Sequence, residues 1–205
     1  MARRGTMGGM STKRAAVRLC LAQQPEADAL LSKDPLALLM GMLLDQQVPM
    51  EKAFVGPYVL TQRMGKVTAQ AVVELGEDRL IELFVEKPAL HRFPAAMARR
   101  VLALCQQLVD EYGGDAAAVW KGADSGQELL GRLKKLPGFG DAKARIFLAL
   151  LGKQLGVQPA GWREAAGQVG QEGTAMSVAD IVDADTLGQV REHKKQMKAA
   201  AKAAQ

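Results

Sequence analysis

Apolar residues recur along most of the chain at intervals of three and four, which is the spacing of a helix with one buried face. The clearest stripe is Met97, Val101, Leu104 and Leu108, which predicts a helix over 94–112. The same spacing, together with Pro, Asp and Gly at the boundaries, predicts further helices over about 49–64, 68–75, 77–86, 115–121, 125–135, 141–155 and 184–203, with short turns near 162 and 177–181. The pattern therefore predicts an all-α protein.

One segment, LALLMGMLLD, is apolar on nearly every side. Asp34 and Pro35 precede it and favour a helix start, because Asp caps free amides and Pro fits the first helical position. The helix is expected to end near Gln46 and Gln47, since Pro49 disfavours helical geometry in the residue before it. A helix that is apolar all round is expected to be buried at the centre of the domain.

Strand-like alternation is scarce, and 18–22 is the one weak candidate. The 205 residues, 48% of them apolar, fit one domain or two small lobes. Residues 1–12 are expected to form a basic extension. No apolar run is long enough to span a bilayer and no leader is evident, so the expectations are no membrane partner and a cytoplasmic location, nucleoid-associated if the protein is bacterial.

The charge is moderately basic, with a net charge of +5 and a pI near 9.3, which is compatible with nucleic acid as a partner. The two cysteines, Cys20 and Cys105, cannot supply the four ligands of an iron–sulfur cluster. The basic run HKKQMK, residues 193–198, is typical of a solvated helix face and would add nonspecific affinity if it touched phosphates.

A tight glycine turn, LPGFG, lies between two helix-forming runs in LGRLKKLPGFGDAKARIFLALL. A helix that begins at such a turn leaves backbone N–H groups without intrahelical partners, and the helix dipole adds positive charge there, so the turn is a natural anion site. The groups predicted to contact a nucleic-acid phosphate are the amides of Gly138, Gly140 and Ala142 and the side chains of Lys135 and Lys143.

Phosphate contacts position a protein without reading sequence, so the turn predicts a double-stranded DNA partner bound without sequence preference. Gly138 and Gly140 are expected to use positive φ, Phe139 to point into the core and Asp141 to cap the second helix. The alternative interpretation is an ordinary capped turn between two helices.

The hairpin segment LPGFGDAKARIFLALLGK and the segment LLMGMLLDQQVP, about ninety residues before it, together resemble the helix-hairpin-helix (HhH-GPD) DNA glycosylase superfamily of base-excision repair, over about residues 34–165. The resemblance implies two helical lobes with a DNA-binding cleft between them. The larger lobe would be 34–158, with the helix-hairpin-helix at about 125–155. The smaller lobe would be formed by 1–33 and 159–205.

The resemblance also implies roles for particular residues, because such enzymes push a damaged nucleotide out of the stack. Gln46 and Gln47 would fill or face the gap, with helix-end capping as the alternative. Trp162 would stack on the displaced base, with core packing as the alternative. Carbonyls of Leu136 and Gly138 are candidates to hold a monovalent cation; no other cofactor is expected, and no iron–sulfur cluster.

The chain departs from the family at its catalytic aspartate, whose position falls at Ala160 or Gly161. Glu164 and Asp45 are the candidates to replace it, each with a surface or capping role as the alternative. The lysine of lyase-type members aligns with Ala142, not with the lysine one residue later, which points about 100° away around the helix. A lyase is therefore not expected.

Three functions remain open. The first is a monofunctional DNA N-glycosylase that hydrolyses the N-glycosidic bond of a damaged base, for example an alkylated one. The second is a non-catalytic binder of damaged or distorted DNA, since the catalytic aspartate is missing. The third is a helical protein unrelated to DNA. The sequence does not indicate the lesion or any protein partner.

Overall fold

The computed structural model describes residues 18–203, so the extension expected over 1–12 lies outside the described residues. Within the described range the chain forms ten α-helices and no strand. The α-helices are α1 (Pro25–Lys33), α2 (Pro35–Leu44), α3 (Met50–Met64), α4 (Ala69–Leu75), α5 (Glu77–Val85), α6 (Pro94–Tyr112), α7 (Gly126–Lys134), α8 (Asp141–Gln154), α9 (Trp162–Ala166) and α10 (Ala184–Ala203). Short 3₁₀ helices span Ala116–Val119, Gly167–Gly170 and Val178–Asp180. The all-α prediction is confirmed.

The stretch 18–22, the one weak candidate for a strand, is irregular. Three of its backbone N–H groups donate to side chains of α1, and no local pattern in the sequence predicts these contacts. Asp28 accepts from the N–H groups of Leu21 and Ala22 at 2.8 and 2.7 Å, and Ser32 accepts from that of Leu19 at 2.9 Å. The apolar side chains of this stretch are buried, which explains the strand-like pattern without a partner strand.

Helix α2 lies at the centre of the structure, as its apolar sequence predicts. All its residues from Leu36 to Leu44 are buried, and α2 packs against α1, α3 and α6. The predicted cap is confirmed, since the Asp34 side chain accepts from the N–H groups of Leu36 and Ala37 at 2.9 and 3.2 Å. The burial of this helix on every side places strict demands on its polar ends.

The last four carbonyls of α2, residues 41–44, all have donors. The backbone N–H groups of Asp45 and Gln46 donate to the first and the fourth, at 3.1 and 2.7 Å. The ammonium of Lys143, on α8, donates to the two between them at 2.7 and 3.0 Å. A side chain one hundred residues away in sequence therefore completes the carboxyl end of α2.

Helix α8 joins the hairpin to the carboxyl-terminal part of the chain. It packs against α7, α9 and two of the 3₁₀ helices, while α1 packs against α2 and α3. The buried residues of all these elements belong to one continuous core. The division into lobes 34–158 and 1–33 with 159–205 stays a prediction. None of the described helices combines the length and apolarity needed to cross a bilayer.

Substituting alanine for two glycines in helix interiors should have opposite effects on stability. A Cβ at Gly152 would lie 2.4 Å from the ring of Trp162, whereas a Cβ at Gly131 would meet nothing within 4 Å. We expect Gly152→Ala to lower the free energy of unfolding by about 1–3 kcal/mol through overpacking. Gly131→Ala should raise it by about 0.5–1 kcal/mol through helix propensity. Urea unfolding of both variants measures this difference, and equal midpoints would contradict the packing of α9 on α8.

Candidate nucleic-acid interface

The turn between α7 and α8, residues 135–140, is called the hairpin turn below. Gly138 adopts a φ of +78°, the left-handed region that favours glycine, so the prediction of positive φ is confirmed there. A Cβ at this position would also lie 2.4 Å from Leu43, on α2. Gly140 has a φ of −70°, so the prediction of positive φ is wrong for this residue. The hairpin turn therefore approaches the carboxyl end of α2 through a position that only glycine fits.

The middle of the hairpin turn is anchored in the core. Phe139 is buried and meets the ring of Phe147 edge-on at 5.8 Å, as predicted. Its N–H donates to the carbonyl of Leu136 at 3.0 Å. A carbonyl oxygen has two lone pairs, so the oxygens of Leu136 and Gly138 are still able to coordinate a cation. The described residues contain no cluster of three His, Cys, Asp or Glu side chains arranged for a metal, which does not bear on a site made of carbonyls.

The backbone around the start of α8 faces solvent. Gly138, Gly140 and Ala142 are exposed, and among the described residues no acceptor takes their N–H groups. Helix α8 has 14 residues, so its dipole adds positive charge at the same place. The arrangement can bind an anion without any rearrangement of the backbone.

Asp141 does not cap α8, so that prediction is wrong. Its carboxylate accepts instead from Arg145 at 2.7 Å and from Lys134 at 2.8 Å. These hydrogen bonds, the one from Arg145 first, lower the pKa of Asp141 to about 2. The negative charge next to the exposed amides is thus offset by two cations, and Lys135 remains exposed beside them. The potential at the start of α8 stays positive.

The ammonium of Lys143 is engaged by carbonyl groups away from the hairpin turn. It is partly buried and bound to the carboxyl end of α2, so its predicted contact with phosphate is replaced by a structural one. Burial lowers the pKa of Lys143 to about 8, and the charge of Arg100 adds to this, while the charge of Asp45 opposes it. A desolvated ammonium therefore lies beneath the loop that follows α2.

That loop, residues 45–49, is called the glutamine loop below. The Gln46 side chain donates to the carbonyl of Leu43 at 2.7 Å and accepts from Arg100 at 2.5 Å. Its backbone carbonyl lies 2.9 Å from Nε2 of His91, whose pKa is lowered by burial. Gln46 therefore makes the helix-end contacts of the alternative interpretation and anchors the loop.

Gln47 is exposed at the tip of the glutamine loop and has a φ of +56°, which is uncommon for a residue with a side chain. Phe93 is held beside the anchor of the loop, because its N–H donates to Nδ1 of His91 at 3.0 Å. The Phe93 ring is 42% exposed, and the Arg92 guanidinium lies 4.9 Å from its centre. No sequence pattern singled out Phe93, since its placement depends on a contact with a distant loop.

A pocket of about 280 Å³ lies between the glutamine loop and α10, called the α10 pocket below. Its apolar wall is formed by Val48, Pro49, Met50, Ile181, Leu187 and Val190. Its polar side chains are Asp45, Glu51, Arg191, Lys194 and Lys198. The volume is near the lower end of small-molecule sites, about 300 Å³, and apolar walls with a few converging polar groups are typical of them.

Asp45 is the partly buried carboxyl of this pocket. Burial raises its pKa above the usual 3.8, while the charges of Lys194 and Lys143 act in the opposite direction and Glu51 adds to the rise. A carboxylate taken out of water beside two cations is typical of functional sites.

The position at which the resemblance expects an aspartate and the second substitute candidate, Glu164, are placed differently from Asp45. Ala160 and Gly161 precede α9, and the carbonyl of Ala160 accepts from the N–H of Gly126 at 2.7 Å. Glu164 is exposed on α9 and lines none of the pockets described for the chain, whereas Asp45 lines the α10 pocket. Of these two carboxyls, only Asp45 is partly buried and lies close to cations.

Trp162 is 5% exposed and packs its ring against Gly152, with the Arg163 guanidinium 4.3 Å from the centre of the ring. The indole is therefore covered by the protein and is not open to a base. The stacking role predicted for Trp162 is wrong, and the alternative of core packing is confirmed.

Lys143 predicts a pH dependence of stability. Its pKa of about 8 in the folded protein is lower than the usual value of about 10.4 expected for the unfolded chain. The cost of its charge is therefore present below pH 8 and disappears as the pH rises towards about 10.4. The pKa difference corresponds to about 3 kcal/mol, which solvent screening of a partly exposed group reduces to about 1–2 kcal/mol.

We accordingly expect wild type to gain stability relative to Lys143→Met between pH 7 and pH 10, with the measurement made by urea unfolding. A constant difference between the two proteins over this range would contradict the desolvation of Lys143.

No protein-family model and no curated protein matches the chain. Among solved structures, the chain is similar to that of a trapped endonuclease III–DNA covalent intermediate in an estranged-adenine complex, with 18% sequence identity and a TM-score of 0.42. The match covers 64% of this chain and 56% of that one, so the chain spans little more than half the length of endonuclease III in that structure. A similarity of this size assigns no family.

Proposed function

We propose that this protein binds double-stranded DNA through the hairpin turn, without reading its sequence. The observation that carries the proposal is the set of exposed, unpaired N–H groups of Gly138, Gly140 and Ala142 at the positive end of α8. A phosphate diester is the anion that fits such a site and recurs along a polymer. The net charge of +5 and the exposed Lys135 favour a polyanionic partner.

The glutamine loop and Phe93 support a duplex with a gap in its base stack as the ligand. Gln47 projects from a loop whose base is fixed by Gln46, His91 and Arg100. The exposed ring of Phe93, held by the same histidine, offers an apolar surface to bases. Amide and aromatic side chains on a rigid support are suited to fill the space that a displaced base leaves. Damaged or distorted DNA is therefore the proposed partner.

Excision of a damaged base is the catalytic form of this proposal, and the surroundings of Asp45 favour it. Water would add to C1′ of the sugar as the C1′–N bond breaks and its electrons leave with the base. The Asp45 carboxylate would stabilise the positive charge on the sugar and accept the proton of the water. The protein would then be a monofunctional N-glycosylase of base-excision repair. A binder without catalysis is the second candidate, favoured by the absence of an acid at Ala160 and Gly161.

A substitution at Gly140 in the hairpin turn should change DNA affinity without lowering the stability of the fold. A Cβ at Gly140 meets nothing within 4 Å, and its extended backbone suits a capping residue. Gly140→Asp should keep or slightly raise the free energy of unfolding, because the carboxylate caps the free amides of α8. It should weaken duplex binding at least about tenfold, since the same carboxylate occupies the phosphate site and repels phosphate.

Gly140→Asn is the matched control, because it caps the same amides without a charge. Fluorescence anisotropy with an undamaged labelled duplex, at several salt concentrations, measures both affinities. If Gly140→Asp binds as tightly as wild type, the hairpin turn does not hold the phosphate.

If Asp45 is the catalytic carboxyl, its replacement by Asn should abolish base excision while the protein stays folded. Duplexes carrying an alkylpurine, uracil, oxoguanine or an adenine mismatch are incubated with the protein and cleaved with alkali. Asp45→Asn should reduce strand breaks at least about 100-fold, while Glu164→Gln should match wild type, because Glu164 is exposed on α9. The wild-type rate should fall with decreasing pH at a higher pH than for an ordinary aspartate, because the pKa of Asp45 is raised by burial.

Thermal unfolding controls for the fold: Asp45→Asn should be as stable as wild type or more so, since it removes a partly buried charge. Wild type that binds these duplexes but releases no base from any of them would establish the non-catalytic binder.

A further inference from the structure

The basic residues of α10 lie on one side of the helix. Its sequence contains five Lys or Arg residues against two acids. The five occupy positions i, i+3, i+4, i+7 and i+11, which project to one side of a helix, and they are Arg191, Lys194, Lys195, Lys198 and Lys202. The hairpin turn does not account for this surface, which belongs to a different element.

The side of α10 that faces the protein changes character along its length. Leu187 and Val190 are buried and hold the first half of the helix to the body. Lys194 and Lys198 follow at four-residue intervals on that side and line the α10 pocket opposite Asp45. The side of α10 that faces the protein is therefore apolar in its first half and positively charged where it passes the α10 pocket.

Lys194 and Lys198 have few acidic side chains near them. Within the described residues, no ion pair or hydrogen bond holds the ammonium of Lys194 or Lys198. Of their neighbours, Arg191 pairs with Glu51, and Lys195 lies 3.9 Å from Glu192. Lys194 does act on the charge of Asp45 and lowers its pKa, but burial raises that pKa by more. The pocket therefore carries a surplus of positive charge at its rim.

The α10 pocket and the hairpin turn meet at the same place in the fold. Gly138 in the hairpin turn lies against Leu43 at the end of α2. Asp45, two residues further along, lines the pocket below Lys194. One strand of a polyanion that passes over the carboxyl end of α2 would thus meet both positive surfaces.

We propose that α10 is a second phosphate-binding element, in which Lys194 and Lys198 hold the DNA backbone over the α10 pocket. This rests on the proposed binding of DNA and adds a contact surface that is separate from the hairpin turn. The partner is the sugar-phosphate backbone, since charge alone selects it and the ammonium groups impose no base preference. The contact places the bound strand next to the Asp45 carboxyl, so α10 would serve binding and positioning together.

The test compares two double variants of the full chain in the anisotropy assay with an undamaged duplex. Lys194→Gln with Lys198→Gln removes the proposed contacts and keeps helix propensity, because Lys and Gln are similar in this respect. Lys33→Gln with Lys66→Gln removes the same charge from exposed lysines near the amino end of α2, at the other end of this helix of about 15 Å. Circular dichroism checks that both variants are folded.

We expect the α10 double variant to reduce the slope of log affinity against log salt by about 1–2, since each phosphate contact contributes about 0.9. Its affinity at low salt should fall about 10- to 100-fold, whereas the control pair should stay within about threefold of wild type. Added to Gly140→Asp, the α10 changes should multiply the loss, because the two sites do not share partners.

An α10 double variant that binds DNA like the control pair, while Gly140→Asp weakens binding, would overturn the role of α10 and leave the hairpin proposal standing. If that variant keeps DNA affinity but loses affinity for polyglutamate, the surface belongs to an acidic protein segment and the proposal is also overturned. Wild type that fails to bind the duplex at low salt would remove both proposals together.

Discussion

The carboxyl end of α2 is buried, and its carbonyl groups determine which parts of the chain must meet there. A helix buried on every side cannot leave its last carbonyls to water, so each needs a donor from the protein. Two come from the backbone of the glutamine loop, and the Lys143 ammonium on α8 serves the other two. Through Lys143 the start of α8 is tied to the end of α2, and Gly138 of the hairpin turn lies against Leu43 at the same place. The position of the candidate site follows from satisfying backbone hydrogen bonds.

The cost of this arrangement falls on Lys143, whose pKa is lowered to about 8 by burial. The same ammonium, together with Lys194, acts to keep the partly buried Asp45 ionised against its own desolvation. The charges of Lys143 and Asp45 are therefore coupled at the end of one helix. Such compromises between stability and reactivity are common where a protein prepares a site for a ligand.

The two positive surfaces differ in physical origin. At the hairpin turn the charge comes from backbone dipoles at the start of α8, and the ion pairs of Asp141 with Lys134 and Arg145 keep a neighbouring acid from cancelling it. On α10 the charge comes from flexible side chains on a helix anchored by Leu187 and Val190. Rigid amides favour one defined phosphate position, while flexible lysine side chains tolerate several. Together the two surfaces would fix one point of a polyanion and let the neighbouring part shift in position.

Periodicity, capping residues and glycines act over a few neighbouring residues. They were therefore enough to predict the helical class, the central place of α2 and the open amides of the hairpin turn. The sequence by itself did not determine which side chains meet. The engagement of Lys143 with α2, the burial of Trp162 on Gly152 and the pairing of Asp141 with Lys134 depend on contacts between helices. The choice of Asp45 over Glu164 as the desolvated acid has the same cause, since burial is a property of the packed molecule and leaves no local signal in the chain.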